Sequence, residues 1–252
     1  MSYLRSIFIS APIVAIATIV LGGVSLAASI FDRSGNALHN IARFWGRILL
    51  AAGFVRVRAD GAGRLDPHAS YVFVANHGSY MDIPAVLAAL PHQFRFFAKK
   101  GLFKIPFLGF HLKHAGHLPV DRTNARNSLK SMAEGARIVR ERGISVLLFP
   151  EGGRSVEGLR GFKEGAAYIA IKAGVPVVPI AIIGMRELLP QGSLHLRSGK
   201  VKVRVGEPIS TAGMTIKDRD ELTERLRREV ASLLGVDVTP AAPAHPSVSG
   251  SL

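Results

Sequence analysis

The sequence predicts an α/β protein with a mostly parallel central sheet flanked by helices, preceded by an N-terminal membrane-associated helical segment. Three observations support this fold class. From about residue 55 onward, short β-branched and aromatic runs alternate with helical patterns, which is typical of parallel sheets. Polar and glycine-rich stretches follow several of these predicted strands. Residues 7–31 are strongly apolar and carry no charge.

The composition indicates one hydrophobic core and an anionic partner. A chain of 252 residues can form one sizeable core with a membrane appendage. The formal net charge of +14 attracts phosphate-rich partners, and the mean hydropathy of +0.26 favours lipid over nucleic acid. We therefore expect membrane lipids, and no nucleic acid, as partners. Because the chain has no cysteine, disulfides, a cysteine nucleophile and a thiolate metal site are excluded.

The first apolar segment, residues 7–31, is interrupted only by Pro12 and the Gly22–Gly23 pair. As a helix it would extend about 37 Å, against about 30 Å for the hydrocarbon core of a bilayer. We expect membrane insertion. The alternatives are a buried core helix and a signal peptide, although the run is longer than the usual signal-peptide core. The sequence leaves open whether the segment crosses the bilayer or only dips into it.

Residues 38–54 form a second predicted helix, with apolar residues at helical spacing and polar residues mostly on another face. Trp45 and the arginines suit a headgroup interface, and packing on the protein's own core is the alternative. Five arginines lie within residues 33–58, whereas Arg5 alone precedes the first apolar segment. This bias predicts an inner-membrane protein whose remaining chain is on the cytoplasmic side.

We divide the chain into membrane-associated helices (1–58), an α/β domain (59–235) and a disordered tail rich in Pro, Ala and Ser (236–252). The predicted strands of the domain are Tyr71–Ala75, Phe94–Ala98, Gly116–Val120, Ile144–Phe149, Val175–Ile183 and Lys200–Val205. Its predicted helices are Ile83–Leu90, Ile105–Lys113, Ala125–Arg142, Glu164–Ala173 and Ile216–Leu234.

A histidine and a carboxylate follow the first of these strands. His77 lies on the turn, and Asp82 lies near the start of the next helix. Such loops at the C-terminal ends of parallel strands hold ligands. A neutral imidazole accepts a proton from a hydroxyl when its other nitrogen donates to a carboxylate, so the pair is a candidate general base. Ser79 is a poor candidate nucleophile because the Gly-x-Ser-x-Gly elbow is missing, and one His with one Asp is too few ligands for a metal.

An arginine follows a second predicted strand. Residues 116–122 deliver Arg122 to the strand's C-terminal end. A guanidinium offers a planar fork of donors that suits phosphate oxygens, so Arg122 is a candidate phosphate-binding residue. The alternative is an ion pair of Asp121 and Arg122 on a solvated turn.

Paired glycines follow a third strand, in residues 149–155. Backbone N–H groups near Gly152 and Gly153 are candidate donors to a phosphate or a developing oxyanion, and glycines of an ordinary loop are the alternative. A fourth stretch, residues 174–180, is a strand with two prolines that suits a pocket wall or an edge strand.

Together these stretches resemble the four ordered blocks of the glycerolipid acyltransferases, specifically the 1-acyl-sn-glycerol-3-phosphate acyltransferase branch. The blocks are Asn-His-x4-Asp at 76–82, Gly-x4-Asp-Arg at 116–122, Phe-Pro-Glu-Gly-x-Arg-Ser at 149–155 and Val-Pro-x-x-Pro-Ile at 175–180. The resemblance covers roughly residues 70–185, and four motifs in the right order make it specific. One departure is Gly153, where many relatives have a threonine, so a hydroxyl is missing here.

The resemblance implies direct acyl transfer, with no covalent acyl-enzyme, no cofactor and no metal. His77 would deprotonate the sn-2 hydroxyl of 1-acyl-glycerol-3-phosphate, with Asp82 as its orienting partner. The hydroxyl would then attack the thioester of acyl-CoA or acyl-carrier protein, giving phosphatidic acid. Arg122 would bind the phosphate of the lysophospholipid acceptor. The other expected substrate-binding residues are Glu151, Gly152, Gly153, Arg154 and Lys100.

Three alternatives remain at this point. The four blocks would equally serve an acyltransferase that uses another lysolipid acceptor, such as lyso-ornithine lipid. A non-catalytic membrane-surface module would explain the charge and the apolar N-terminus, but it does not require His77, Asp82 and Glu151 together. A lipid hydrolase would use the same base to activate water, but it lacks the nucleophile elbow.

Overall fold

The structure is a computed structural model that describes residues 2–121, 124–155, 157–193 and 195–237. Arg122 therefore lies outside the described residues. So does the predicted tail, apart from Val236 and Asp237.

A seven-stranded sheet forms the centre of the fold. Its strands are β1 (Val55–Asp60), β2 (Val72–Ala75), β3 (Phe94–Lys99), β4 (Leu118–Val120), β5 (Ser145–Leu148), β6 (Val177–Ile183) and β7 (Gly199–Val205). Their order in the sheet is β1-β7-β6-β2-β5-β3-β4. Every pairing is parallel except that of β6 with β7. The predicted α/β class with a mostly parallel sheet is confirmed.

Helices cover both faces of this sheet. They are α1 (Ser2–Arg5), α2 (Ala11–Ala28), α3 (Asn36–Ala52), α4 (Asp82–Ala89), α5 (Leu108–His114), α6 (Ala125–Arg142), α7 (Gly165–Ala173), α8 (Met185–Leu188) and α9 (Arg219–Leu234). A π-helical turn at Ser6–Ser10 joins α1 to α2. Each predicted helix is present, with ends shifted by a few residues.

The sheet separates two hydrophobic cores. The first core packs α3 and α4 against one face, and β1 and β7 contribute Val55, Val201 and Val203 to it. The second core packs α6, α7 and α9 against the other face of the central strands. Among its described residues, none comes from β1 or β7. The face of β1 and β7 that points away from the first core is therefore not packed against the helices of the second core. We call it the second face of these two strands.

Strand β1 and helix α8 were not predicted. The sequence of β1 alternates valine with arginine, and it follows the second N-terminal helix after only two residues. An apolar-polar alternation of only six residues gives a weak strand signal. Its partner β7 lies more than 140 residues away, so no neighbouring strand indicates the pairing. The division of the chain at residue 58 falls inside β1, and the proposed units remain a prediction.

The N-terminal hairpin consists of α1 and α2 followed by α3. Its segment Tyr3–Ala28 is long and apolar enough to cross a membrane by length and composition, and only 11% of the most apolar window is buried. Helix α3 instead buries Leu38, Leu49 and Leu50. Packing on the protein's own core, the alternative for the second segment, is therefore what the structure shows.

The turn between α2 and α3 is fixed to the sheet by Arg95 of β3. This side chain is buried, and its Nη2 donates to the Ser34 carbonyl oxygen and to Asn36 Oδ1 at 2.9 and 2.8 Å. Burial lowers the pKa of Arg95 to about 10, so it keeps its charge at neutral pH. Asp32 accepts from the N–H of Ala37 at the start of α3. These contacts tie the turn between α2 and α3 to the sheet.

Candidate active site

The loop after β2 places His77 against Asp82. His77 Nδ1 and Asp82 Oδ2 are 2.8 Å apart, and the side chains are 14% and 2% exposed. An ionised carboxylate can only accept hydrogen bonds, so Nδ1 carries the hydrogen. In the neutral ring the Nε2 lone pair is then available to accept a proton. The sequence prediction of an adjacent His–Asp pair agrees with this geometry.

Asp82 also shapes the loop itself. Its Oδ2 atom accepts from the backbone N–H groups of Gly78 and Ser79, both at 2.8 Å. As the first residue of α4, it lies where the helix dipole favours a negative charge. Ser79 is fully buried, and its hydroxyl donates to the Leu189 carbonyl oxygen at 2.9 Å. That hydrogen bond supports the exclusion of Ser79 as a nucleophile.

Phe149 stacks on the imidazole of His77. The two ring centroids are 4.1 Å apart and the planes are inclined by 20°. Phe96 extends the stack behind Phe149, at 6.4 Å. A ring held flat between a stacking neighbour and a hydrogen-bonded carboxylate has little freedom to rotate. The stack and Asp82 therefore fix both the position and the tilt of His77.

Glu151 holds the backbone of the same loop. Its Oε1 accepts from the His77 N–H at 2.7 Å, and its Oε2 accepts from the Arg160 N–H at 3.1 Å. The side chain is buried, and desolvation raises the pKa of Glu151, while these two hydrogen bonds act in the opposite direction. These contacts give Glu151 a positioning role. Its predicted contact with substrate remains a prediction.

The glycine pair after β5 differs from the expectation in one respect. Gly152 has φ of +75°, which favours glycine, and its N–H donates to the Phe149 carbonyl oxygen at 3.2 Å. That N–H is therefore engaged within the turn and does not serve as an oxyanion donor in this conformation. No atom of a non-neighbouring residue lies within 4 Å of the place that a Cβ atom on Gly153 would occupy, and its N–H stays a candidate. The side chain of Lys163 lies beside Gly152.

Arg154 lies over the ring of Tyr80. The guanidinium carbon is 3.5 Å from the ring centroid, and Tyr80 is 56% exposed. Stacking of this kind holds the guanidinium plane while its edge remains able to bind an anion. Tyr80 belongs to the His77 loop, so the predicted binding residue and the candidate base are held next to each other.

Lys100 lies at the end of β3, beside the second sequence block. Its Nζ atom is 4.0 Å from Asp121 Oδ2. Strands β3 and β4 pair with Lys99 opposite Val120, so Lys100 and Asp121 leave the sheet side by side. Arg122 follows Asp121 directly, but its own placement is outside the described residues.

The fold brings to this site several residues for which the sequence predicted no role. Asn76 pairs with the backbone of Ile182 through both its Oδ1 and Nδ2 atoms, at 2.7 and 3.0 Å. Arg186 lies on α8, beside Gly78. The one available signal for Arg186 is its place just after β6, at the C-terminal edge of the sheet. For Asn76 and Phe149 the signal was membership of the first and third blocks.

A cavity of about 410 Å³ lies beside the His77 loop. Its lining includes Asn76, Gly78 and Asp82, and also Ile183 and Gly184 at the end of β6. The site thus combines an oriented imidazole, a set of cations and an adjoining cavity. In the described part of the chain, no three His, Asp or Glu side chains are grouped so that they could hold a metal ion.

The oriented imidazole, the neighbouring cations and the adjoining cavity suit general-base chemistry on a hydroxyl, and comparison with known proteins identifies the family. The family model described as Acyltransferase matches residues 56–183, about half of the chain. The chain therefore belongs to the acyltransferase family, and the family resemblance of the four blocks is confirmed.

Its relatives are more specific. The chain is 35% identical over 209 residues to the 1-acyl-sn-glycerol-3-phosphate acyltransferase of Chlamydomonas reinhardtii, covering 82% of this chain and 61% of that protein. It is 36% identical over 184 residues to the chloroplastic enzyme of that name from Brassica napus, covering 71% and 53%. The chain thus spans roughly half to three fifths of these relatives' length.

A solved structure shares the fold. The crystal structure of the 1-acyl-sn-glycerophosphate acyltransferase PlsC from Thermotoga maritima superposes with a TM-score of 0.75 at 26% sequence identity. The superposition covers 95% of this chain and all of the other. The similarity therefore includes the N-terminal hairpin as well as the sheet.

Proposed function

We propose that this protein transfers a fatty acyl chain from a thioester to the sn-2 hydroxyl of 1-acyl-glycerol-3-phosphate, giving phosphatidic acid. The observation that carries the proposal is the His77–Asp82 pair at the C-terminal edge of a parallel sheet, beside a cavity and a stacked arginine. The names of the relatives support the acceptor. The donor is acyl-CoA or acyl-carrier protein.

The reaction needs one base and no covalent intermediate on the protein. His77 Nε2 accepts the proton of the acceptor hydroxyl as its oxygen bonds to the thioester carbonyl carbon. The tetrahedral intermediate then collapses, the carbon–sulfur bond breaks, and the sulfur takes the proton from the imidazolium. Asp82 stabilises the imidazolium throughout, because its carboxylate stays bound to Nδ1. The buried, hydrogen-bonded Ser79 takes no part in this sequence of steps.

The cations around His77 suit the acceptor's phosphate. Arg154 on Tyr80 and Lys100 beside Asp121 lie at the ends of neighbouring strands, and Arg122 follows in the chain. A phosphate held by these groups brings the glycerol hydroxyl toward the loop of His77. Gly153 supplies a candidate N–H for the oxyanion. These roles are assigned from position and chemistry.

We propose further that the N-terminal hairpin lies within one leaflet on the cytoplasmic side of the inner membrane. Both ends of its apolar helix contact the α/β domain: Arg5 Nη2 donates to the Leu196 carbonyl oxygen at 3.2 Å, and Ser25 Oγ is 2.6 Å from His111 Nδ1. A helix with both ends on the domain does not cross a hydrocarbon core of about 30 Å. The many arginines after it favour the cytoplasmic side.

An acceptor panel tests the proposed function. The full-length protein in mixed micelles is given one labelled acyl-CoA or acyl-carrier protein, with lysophosphatidic acid, lysophosphatidylcholine, lysophosphatidylethanolamine or lyso-ornithine lipid. We expect labelled diacyl product mainly from lysophosphatidic acid. A preference for a lysolipid without a phosphate monoester would contradict the acceptor. Release of free fatty acid in place of diacyl product would instead identify a hydrolase.

A further inference from the structure

The second face of β1 and β7 carries four cations in register. In this parallel pair Arg56 lies opposite Lys200, and Arg58 lies opposite Lys202. Directly opposite residues project from the same face, so the four side chains form a two-by-two array, which we call the basic ladder. All four residues are exposed.

The fold does not account for the basic ladder. Like charges directly opposite each other in a sheet repel and destabilise the pairing. Among the ion pairs of the described residues, one carboxylate contacts the ladder, that of Asp60, which lies 3.0 Å from Arg58 Nε. Four cations and one carboxylate leave an excess of three positive charges on a small open surface. Such a surface is stabilised by an anionic partner.

The basic ladder faces away from the N-terminal hairpin. The valines that alternate with its members, such as Val55 and Val201, belong to the first core, where α3 and α4 pack. Helix α2 lies against α3 on that same side. When the apolar hairpin rests on a bilayer, the ladder therefore points toward the aqueous phase. This geometry favours a soluble anionic partner over the lipid surface.

The basic ladder also adjoins the cavity beside the candidate base. Lys202 pairs with Ile183 of β6, and a Cβ atom on Gly184 would lie 2.9 Å from the Lys200 carbonyl oxygen. Ile183 and Gly184 line the cavity of about 410 Å³, and so does Gly78, the neighbour of His77. A molecule bound to the ladder is therefore next to an entrance to the site.

We propose that the basic ladder docks an acidic acyl-carrier protein, so that its thioester arm enters this cavity. The inference rests on the proposed acyl transfer and names the donor's binding surface. A flat exposed array about 7 Å long suits the anionic surface of a protein, whereas a nucleotide such as that of CoA is usually bound in a concave pocket. The prosthetic arm of the carrier would extend from the ladder into the cavity and carry the thioester there.

The test compares two donors that carry the same acyl chain. Full-length wild type and the R56Q/R58Q/K200Q/K202Q variant are assayed with palmitoyl-acyl-carrier protein and with palmitoyl-CoA, with lysophosphatidic acid as acceptor, at low and at moderate salt. The control K172Q/K217Q removes two exposed lysines outside the ladder, the same number of charges as either double variant of the ladder. The two double variants R56Q/R58Q and K200Q/K202Q are included in case the quadruple variant does not fold.

We expect kcat/KM for the carrier-protein donor to fall about tenfold or more at low salt, with kcat unchanged, because rim charges act mainly on association. The difference in kcat/KM between wild type and the quadruple variant should shrink as salt shortens the screening length to about 8 Å near 0.15 M. Activity with palmitoyl-CoA should stay within about twofold. Each double variant should show a partial effect, and the control none.

Three results would overturn the docking proposal. They are an unchanged kcat/KM with the carrier protein, an equal fall with both donors, and loss of co-sedimentation of the quadruple variant with phosphatidylglycerol vesicles. The last result would assign the ladder to the membrane. Wild-type protein that transfers from neither donor would instead contradict the proposed function, so the two failures are distinguishable.

Discussion

Replacing Asp82 by asparagine tests the orientation of His77 while keeping the volume of the side chain. In either orientation of the new amide, the negative charge next to His77 Nδ1 is lost. In one orientation an N–H group faces Nδ1 as well, which favours the ring tautomer with its hydrogen on Nε2. That tautomer has no lone pair for the acceptor hydroxyl.

The expected size follows from the geometry. A carboxylate about 4 Å from the imidazolium charge contributes about 4 kcal/mol at an effective dielectric of about 20. At about 1.36 kcal/mol per factor of ten, this corresponds to about 10³ in kcat. Loss of the correct tautomer raises the effect toward about 10⁴. The Asp82 side chain is 2% exposed and its Oδ2 atom is engaged with His77 Nδ1, so the acceptor KM should hardly change.

The assay is initial-rate formation of labelled phosphatidic acid by D82N and by wild type, over a range of acceptor concentrations. Thermal unfolding of both proteins controls for misfolding, because Gly78 and Ser79 also donate to Asp82. A folded D82N protein with kcat within tenfold of wild type would refute the reasoning. So would a defect confined to KM.

Four further predictions follow from other contacts. F149L removes the ring stacked on His77, and we expect kcat to fall about three- to tenfold with little change in KM; a change in KM alone would argue against positioning. R154A should raise KM for lysophosphatidic acid at least about tenfold while kcat changes less, and an unchanged KM would place Arg154 outside the acceptor site. Burial lowers the pKa of His39 to about 3. As the pH falls below about 6.5, the unfolded state therefore binds a proton at this residue, whereas the native state does not. Stability should therefore drop between about pH 6.5 and 3, and H39L should reduce that drop in thermal unfolding; an equal drop in H39L would assign it to other groups. Because the chain has no cysteine, the single variants I7C and F31C can be labelled cleanly in sealed inside-out and right-side-out vesicles. Neither should react from the periplasmic side, and labelling of one of them there would show a spanning helix.

The part of the site that is local in sequence was predictable. His77 and Asp82 are five residues apart on one strand-to-helix turn, so their contact follows from the local fold and needs no tertiary information. The same holds for the choice of strands β2, β5 and β6, whose short apolar runs are buried on both faces. Four ordered blocks then indicated the family.

The part that depends on tertiary packing was not predictable. The contact of Glu151 with the His77 N–H joins residues 74 apart, so only the tertiary fold reveals it. The N–H of Gly152 is used inside its own turn, which the glycine pattern does not reveal. Strand β1 was hidden because its valine-arginine alternation is explained only by its partner β7.

The same alternation that hid β1 is informative once the sheet is known. Its valines complete the first core, and its arginines stand opposite the lysines of β7. We therefore assign different roles to two groups of the chain's positive charges. Cations near His77 suit the acceptor's phosphate, whereas the basic ladder suits the donor. The two groups make separable predictions, one in the acceptor KM and one in the donor kcat/KM.

The most direct measurement of the central claim is single-turnover formation of phosphatidic acid by H77A. The matched control is H68A, which removes an exposed histidine that precedes β2 and lies outside the His77 loop in the sequence. With saturating thioester and lysophosphatidic acid, we predict that H68A forms product at the wild-type rate and that H77A forms none above the uncatalysed background. Product formation by folded H77A at a rate near that of wild type would contradict the assignment of His77 as the general base.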